Sequence, residues 1–179
     1  MRLTAIKTTH PHYPFVEELF LAAFPESERR PVEAQRLNVD GNARFRCYLL
    51  TEDDDERPLG FITVWELDGF YYAEHFAIDP TLRNGGYGSR VMQHLLAELD
   101  RPLVLEVEVP EDELTRRRVA FYERQGFRIC DKDYVQPPYR TGGASLPLYL
   151  MVAGDASAEL PALEDVRKGI YREVYRVNC

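Results

Sequence analysis

A strand that runs directly into a glycine-rich turn and emerges as an amphipathic helix limits a chain to a small set of folds. Here that unit is Ile78-Asp79-Pro80-Thr81-Leu82-Arg83-Asn84-Gly85-Gly86-Tyr87-Gly88-Ser89. Its backbone N–H groups and the positive end of the helix dipole converge on one point, and the glycines let a ligand come close to the main chain. Such a turn is a cradle for phosphate, although glycine pairs also serve ordinary tight turns. Two common phosphate readers do not fit. The chain has no G-x-x-x-x-G-K-[ST], and Gly85-Gly86-Tyr87-Gly88 lacks the full G-x-G-x-x-G spacing, which argues against nucleotide hydrolysis and dinucleotide binding.

The apolar pattern on either side places this unit in a mixed domain. Phe15, Leu19, Phe20 and Phe24 recur at helical spacing after Pro14 and predict a helix over 14–24, followed after Pro31 by a short helix to about residue 38. Aromatic and β-branched runs predict strands over 45–50, 59–67 and 70–78, with the acidic run 52–56 as a solvated hairpin turn. Val91, Met92, Leu95, Leu96 and Leu99 mark a helix over 88–100. A strand over 103–109 and a helix over 112–125 ended by Gly126 come next. Strands from 127 and over 146–152 follow, then a C-terminal helix carrying Leu160, Leu163, Val166, Ile170 and Val174. Short meander loops imply antiparallel pairing, and the strand-helix-strand unit around 88–100 implies one parallel crossover. The expected fold class is α/β in the α+β sense: a mixed, mostly antiparallel central sheet with flanking helices.

Length and charge bound the function. The 179 residues suit one domain, expected to span 1–179 with 155–179 as a helical extension. A net charge of −8 argues against general nucleic-acid or membrane-surface binding, since both need a broad positive field, and mildly favours a cationic ligand. Only Lys7, Lys132 and Lys168 are lysines, so positive charge sits on guanidinium groups, which suit fixed contacts to phosphate. No apolar run approaches the roughly 18 residues of a membrane span, and the N-terminus lacks an apolar leader. Cys47, Cys130 and Cys179 are widely spaced, and His10 and His12 have no further ligand near them in sequence, so no metal is expected. The chain reads as a reduced, cytoplasmic protein.

What the turn does match is Arg83-x-x-Gly86-x-Gly88, with Ile78 and Pro80 ahead of the arginine. This resembles the acetyl-CoA-binding motif of GNAT-type N-acetyltransferases. Phe121-Tyr122-Glu123-Arg124-Gln125-Gly126-Phe127 is similar to that family's F-Y-x-x-x-G-F helix ending, and the element order agrees from residue 45 to about 152. The resemblance implies a sheet whose central parallel strands splay, acetyl-CoA as donor, and direct attack by a primary amine of a small molecule with no covalent acyl-enzyme. It assigns the CoA pyrophosphate to the backbone of Asn84, Gly85, Gly86, Tyr87, Gly88 and Ser89, with Arg83 at the first motif position. Phe76, Ala77 and Ile78 then pair with pantetheine like an added strand.

The same resemblance makes Tyr122 the expected general acid at the departing thiolate. A base is needed as well, because an alkyl amine with a pKa of about 10.4 is protonated at neutral pH. Glu74 is the first choice for base; simple alternation puts it on the side of Phe76 and Ile78, with His75 on the opposite face as a packed or surface histidine. Glu106 and Glu108 stay open as rivals, either as base or as groups that bind a cationic amine. Thr115 stands where the family often has Asn, seven residues before its catalytic Tyr, so its hydroxyl becomes the candidate contact to pantetheine. Arg117 is a candidate for a CoA phosphate, and Tyr139 for the border of the acceptor entrance. Two other readings stay open: a protein or peptide N-acetyltransferase, and an acyl-CoA-binding sensor without turnover. The C-terminal helix could pack on its own domain or pair with a second subunit as a homodimer.

Overall fold

The computed structural model describes residues 1–82, 85–154 and 159–177. β1 (Arg2–Ile6) leads into α1 (Tyr13–Ala23), a 3-10 turn (Glu26–Glu28) and α2 (Val32–Gly41). The meander β2 (Phe45–Thr51), β3 (Pro58–Leu67) and β4 (Phe70–Ile78) follows. Then come α3 (Tyr87–Glu98), β5 (Leu103–Glu108), α4 (Glu113–Arg124), β6 (Arg128–Gln136), β7 (Leu146–Ala153) and α5 (Leu163–Ile170), which passes directly into a π-helical turn, Tyr171–Tyr175. The seven strands form one sheet in the order β1-β2-β3-β4-β5-β7-β6, and β4–β5 is its parallel pair. The mixed, mostly antiparallel sheet with flanking helices is as expected.

Both faces of the sheet are covered. Phe45, Phe61, Trp65, Tyr72, Val104 and Leu150 pack with Leu19 and Phe20 of α1 and Val166 and Ile170 of α5. On the other face Ile62, Val64, Ala73, Leu103, Leu105 and Met151 lie under Val91, Met92 and Leu95 of α3 and Val119 of α4. Helix α3 begins where Gly86 takes the left-handed conformation, φ +73°, which a side chain makes costly. Helix α4 is started by a capping box: Thr115 donates its N–H to Asp112 Oδ1 at 2.7 Å, and its hydroxyl accepts from the Asp112 N–H at 3.1 Å.

Three features position the site and depart from simple pattern reading. First, β4 and β5 pair only from Tyr71↔Leu103 to Ala73↔Leu105 and then separate, so among the described residues β4 beyond Ala73 has no strand beside it on that edge. Second, β3 aligns Thr63 with His75 and Val64 with Ala73, which leaves Glu74 as the extra residue of a β-bulge. The bulge resets the alternation. Glu74 and His75 both turn to the α1/α5 face, while Phe76 and Ile78 pack toward α3 and α4. The expectation that Glu74 shares the side of Phe76 and Ile78, with His75 opposite, is therefore corrected. Third, β1 was not anticipated: it is short, with Ile6 as its one buried residue, and it owes its strand conformation to pairing with β2.

Candidate active site

The splay opens a cavity of about 580 Å³ between β4 and β5. Glu74, His75, Phe76, Ala77 and Ile78 line it from β4, and Glu106 and Glu108 from β5; the end of α1, Tyr139 and Tyr122 complete its walls.

Glu74 is fully buried. Arg30, itself buried, grips it with both guanidinium nitrogens, Nη1 at 2.9 Å from Oε2 and Nη2 on Oε1. Trp65 Nε1 and the Tyr139 hydroxyl each donate to it at 2.8 Å. Burial alone pushes this carboxyl up, but the Arg30 charge, His75 and the Trp65 hydrogen bond hold it well below the usual carboxylate range. The Arg30 plane also stacks 5.4 Å from the Trp65 centroid and 5.5 Å from that of Tyr139.

Glu106 has a different environment. Its donors are neutral: Tyr175 OH at 2.8 Å, Gln136 Nε2 at 2.9 Å, and Tyr134 OH. Burial pushes its carboxyl up, these tyrosine hydrogen bonds pull it down, and the charge of Glu74 pushes it up again, leaving it at about 7. Glu108 pairs with Arg118, and burial together with Glu108 raises Glu28 of the 3-10 turn, so carboxylates surround the α1 side of the cavity.

Across the splay Tyr122 enters the cavity wall from α4. Burial pushes the phenol up to about 12, so it is protonated at neutral pH. His75 is packed edge-on between Phe20 and Phe24, with Nε2 3.1 Å from the Glu28 carbonyl.

Eight sequence-selected residues thus meet at one cavity: Glu74, Phe76, Ala77, Ile78, Glu106, Glu108, Tyr122 and Tyr139. Gly85, Gly86, Tyr87, Gly88 and Ser89 stand at the start of α3, where a Cβ on Gly88 would lie 3.2 Å from the Phe121 ring. Arg83 and Asn84 lie outside the described residues. Thr115 and Arg117 do not line the cavity, and the Thr115 hydroxyl is engaged in the α4 cap. The sequence reading missed Arg30, which sits in a polar Glu-Arg-Arg-Pro stretch that reads as surface, and Tyr175, which reads as the edge of a C-terminal helix.

The free edge of β4 and the amides at the head of α3 suit an extended, phosphate-bearing donor. Among the described residues no group of three or more His, Cys, Asp or Glu could hold a metal ion, and no helix is long and apolar enough to cross a membrane.

Comparison with known proteins agrees with this geometry. The sequence model described as the acetyltransferase (GNAT) family matches residues 13–127. A GNAT-family protein from Bacteroides thetaiotaomicron is 46% identical, with 99% of this chain and 100% of that one aligned at a TM-score of 0.92. A mutant spermidine N-acetyltransferase from Vibrio cholerae shares the fold at 15% identity and a TM-score of 0.64, over 86% of this chain and 94% of that one. An aminoglycoside 6'-N-acetyltransferase solved with coenzyme A shares it at 16% identity and 0.59, over 85% and 96%. A search of curated proteins gives no significant match. Near-complete alignment at 46% identity, joined to the family match across the splayed strands and both motifs, makes this protein a member of the GNAT acetyltransferase family.

Proposed function

We propose that the protein transfers the acetyl group of acetyl-CoA to a primary amine of a small cationic molecule, with Glu106 as general base and Tyr122 as general acid. The observation that carries this reading is the pairing of a carboxyl held at about 7 with a protonated phenol in one cavity at the strand splay. A base works best when its pKa lies near the operating pH, because it is then both available and basic enough to accept the proton. Glu74 is the weaker choice for base: Arg30, Trp65 and Tyr139 occupy its oxygens, and its pKa is depressed. Its role in this reading is to fix Tyr139 and raise Glu106 by its charge.

Phe76 to Ile78 offer a free strand edge for pantetheine, with Gly85 to Ser89 for the pyrophosphate. Glu28 and Glu108 attract the protonated amine, and Glu106 takes its proton directly or through one water. The neutral amine then attacks the acetyl carbonyl, backbone N–H groups of the splayed strand stabilise the developing oxyanion, and its collapse breaks the C–S bond as Tyr122 donates its proton to the leaving sulfur; the second proton of the new amide nitrogen is lost to the Tyr122 phenolate or to water. The cavity volume suits a small-molecule acceptor.

Thiol release from acetyl-CoA across a panel of amines, polyamines and peptides tests the reading. Acetylation of cationic small amines supports it; tight acyl-CoA binding with no acetylation of any amine overturns it in favour of a sensor.

A further inference from the structure

We infer that Tyr175, carried on the π-helical turn at the C-terminus, is a positioning residue for the base Glu106, so that the reaction centre depends on a segment beyond the family's core match. The inference rests on the assignment of Glu106 above. It starts from connectivity: the family match ends at residue 127, yet Tyr175 reaches back to Glu106 on β5 and donates to Oε2 at 2.8 Å.

The direction of that hydrogen bond is fixed by a third group. Gln136 Nε2, at the end of β6, donates to the Tyr175 oxygen at 2.7 Å and to Glu106 Oε2 at 2.9 Å. With its oxygen already accepting from Gln136, the phenol directs its own proton to the carboxylate. Glu106, Gln136 and Tyr175 therefore form a closed three-membered arrangement in which each contact defines the next.

The backbone supports the same conclusion. Helix α5 switches after Ile170 to π geometry over Tyr171–Tyr175, and Arg176 then takes φ +60°. A π turn is rare and frequent at functional sites, and a left-handed arginine adds local cost. This arrangement brings Val174 and Tyr175 into the core while the Tyr175 ring packs 4.8 Å from the Tyr139 centroid. Tyr139 in turn holds Glu74, so the C-terminal turn contacts Glu106 directly and is linked to Glu74 through Tyr139.

The test is the pH dependence of kcat/KM for amine acetylation by Tyr175→Phe, which keeps the ring and removes one donor to the charged carboxylate. The acid limb should move up by about one pH unit, with activity returning toward the wild-type level above it. Loss of activity by the same factor at every pH marks a structural role and overturns the inference, as does an unmoved limb. Gln136→Met removes a second donor to the same oxygen and should shift the limb in the same direction. It serves as the deciding variant if Tyr175→Phe does not fold, and an unmoved limb there also overturns the inference. Glu106→Gln separates the two levels. If it is inactive while Tyr175→Phe has the wild-type profile, the positioning role fails and the base stands; if it retains the wild-type profile, the assignment of the base fails.

Discussion

Glu74 and Glu106 lie on adjacent parallel strands and line one cavity, yet Arg30 clamps the first while tyrosine hydroxyls and a glutamine amide hold the second. Two like residues therefore acquire opposite chemistry. The ion pair keeps Glu74 charged, and that fixed charge helps keep Glu106 near the point where it can accept a proton.

The Arg30–Glu74 pair gives a stability prediction. Removing one partner leaves a buried charge uncompensated, so Arg30→Met should cost about 3–5 kcal/mol in urea denaturation. Adding Glu74→Gln in the double variant should recover much of that loss. A single variant with the wild-type midpoint contradicts the pairing.

Stability should also depend on pH through Glu106. Its carboxyl is raised from the ordinary 4.5 to about 7 in the folded state, so its contribution is full below the ordinary value and is lost as pH rises through about 7. Glu74 acts with the opposite sign, losing its contribution as pH falls, but it is common to wild type and Glu106→Gln. Between about pH 4 and pH 8 the Gln variant should therefore gain about 3 kcal/mol on wild type. A constant difference in denaturation across that window contradicts the raised carboxyl.

Tyr122→Phe should lower kcat by about 100-fold while acetyl-CoA affinity stays close to wild type, because the proposed scheme uses the phenol proton at the leaving sulfur. Single-turnover kinetics beside direct binding of CoA separates the two effects. Equal turnover in the two proteins removes the role.

Gly60 of β3 pairs with Ile78 of β4, behind the edge proposed to bind the donor. A Cβ there would stand 2.2 Å from the Ala77 carbonyl oxygen and 3.0 Å from the Ile78 Cα. Gly60→Ala must displace that backbone, costing about 1–3 kcal/mol and raising KM for acetyl-CoA more than KM for the amine. Unchanged binding of both substrates contradicts the close approach.

Much of the architecture was legible because it rests on local signals. The Leu-rich face of 91–99, Gly126 after α4 and the β-branched run 103–109 each announce their element without help from the rest of the chain. The two motifs also singled out Phe76 to Ile78 and Tyr122, which line the cavity. What escaped depended on distant partners. Strand β1 exists through β2, and the bulge at Glu74 appears only in its register with β3. Arg30 and Tyr175 converge on the site from positions 44 residues before Glu74 and 69 after Glu106. A polar-tipped tyrosine on an otherwise apolar helical face was the one available hint of the latter, since plain packing there is served equally well by leucine.

The most direct test of the whole scheme is the pH profile of kcat/KM for amine acetylation by wild type and Glu106→Gln. Wild type should show an acid limb with its midpoint at about 7, and the variant should lose at least about 100-fold with that limb abolished. A Gln variant that keeps both the wild-type rate and the limb contradicts Glu106 as the base.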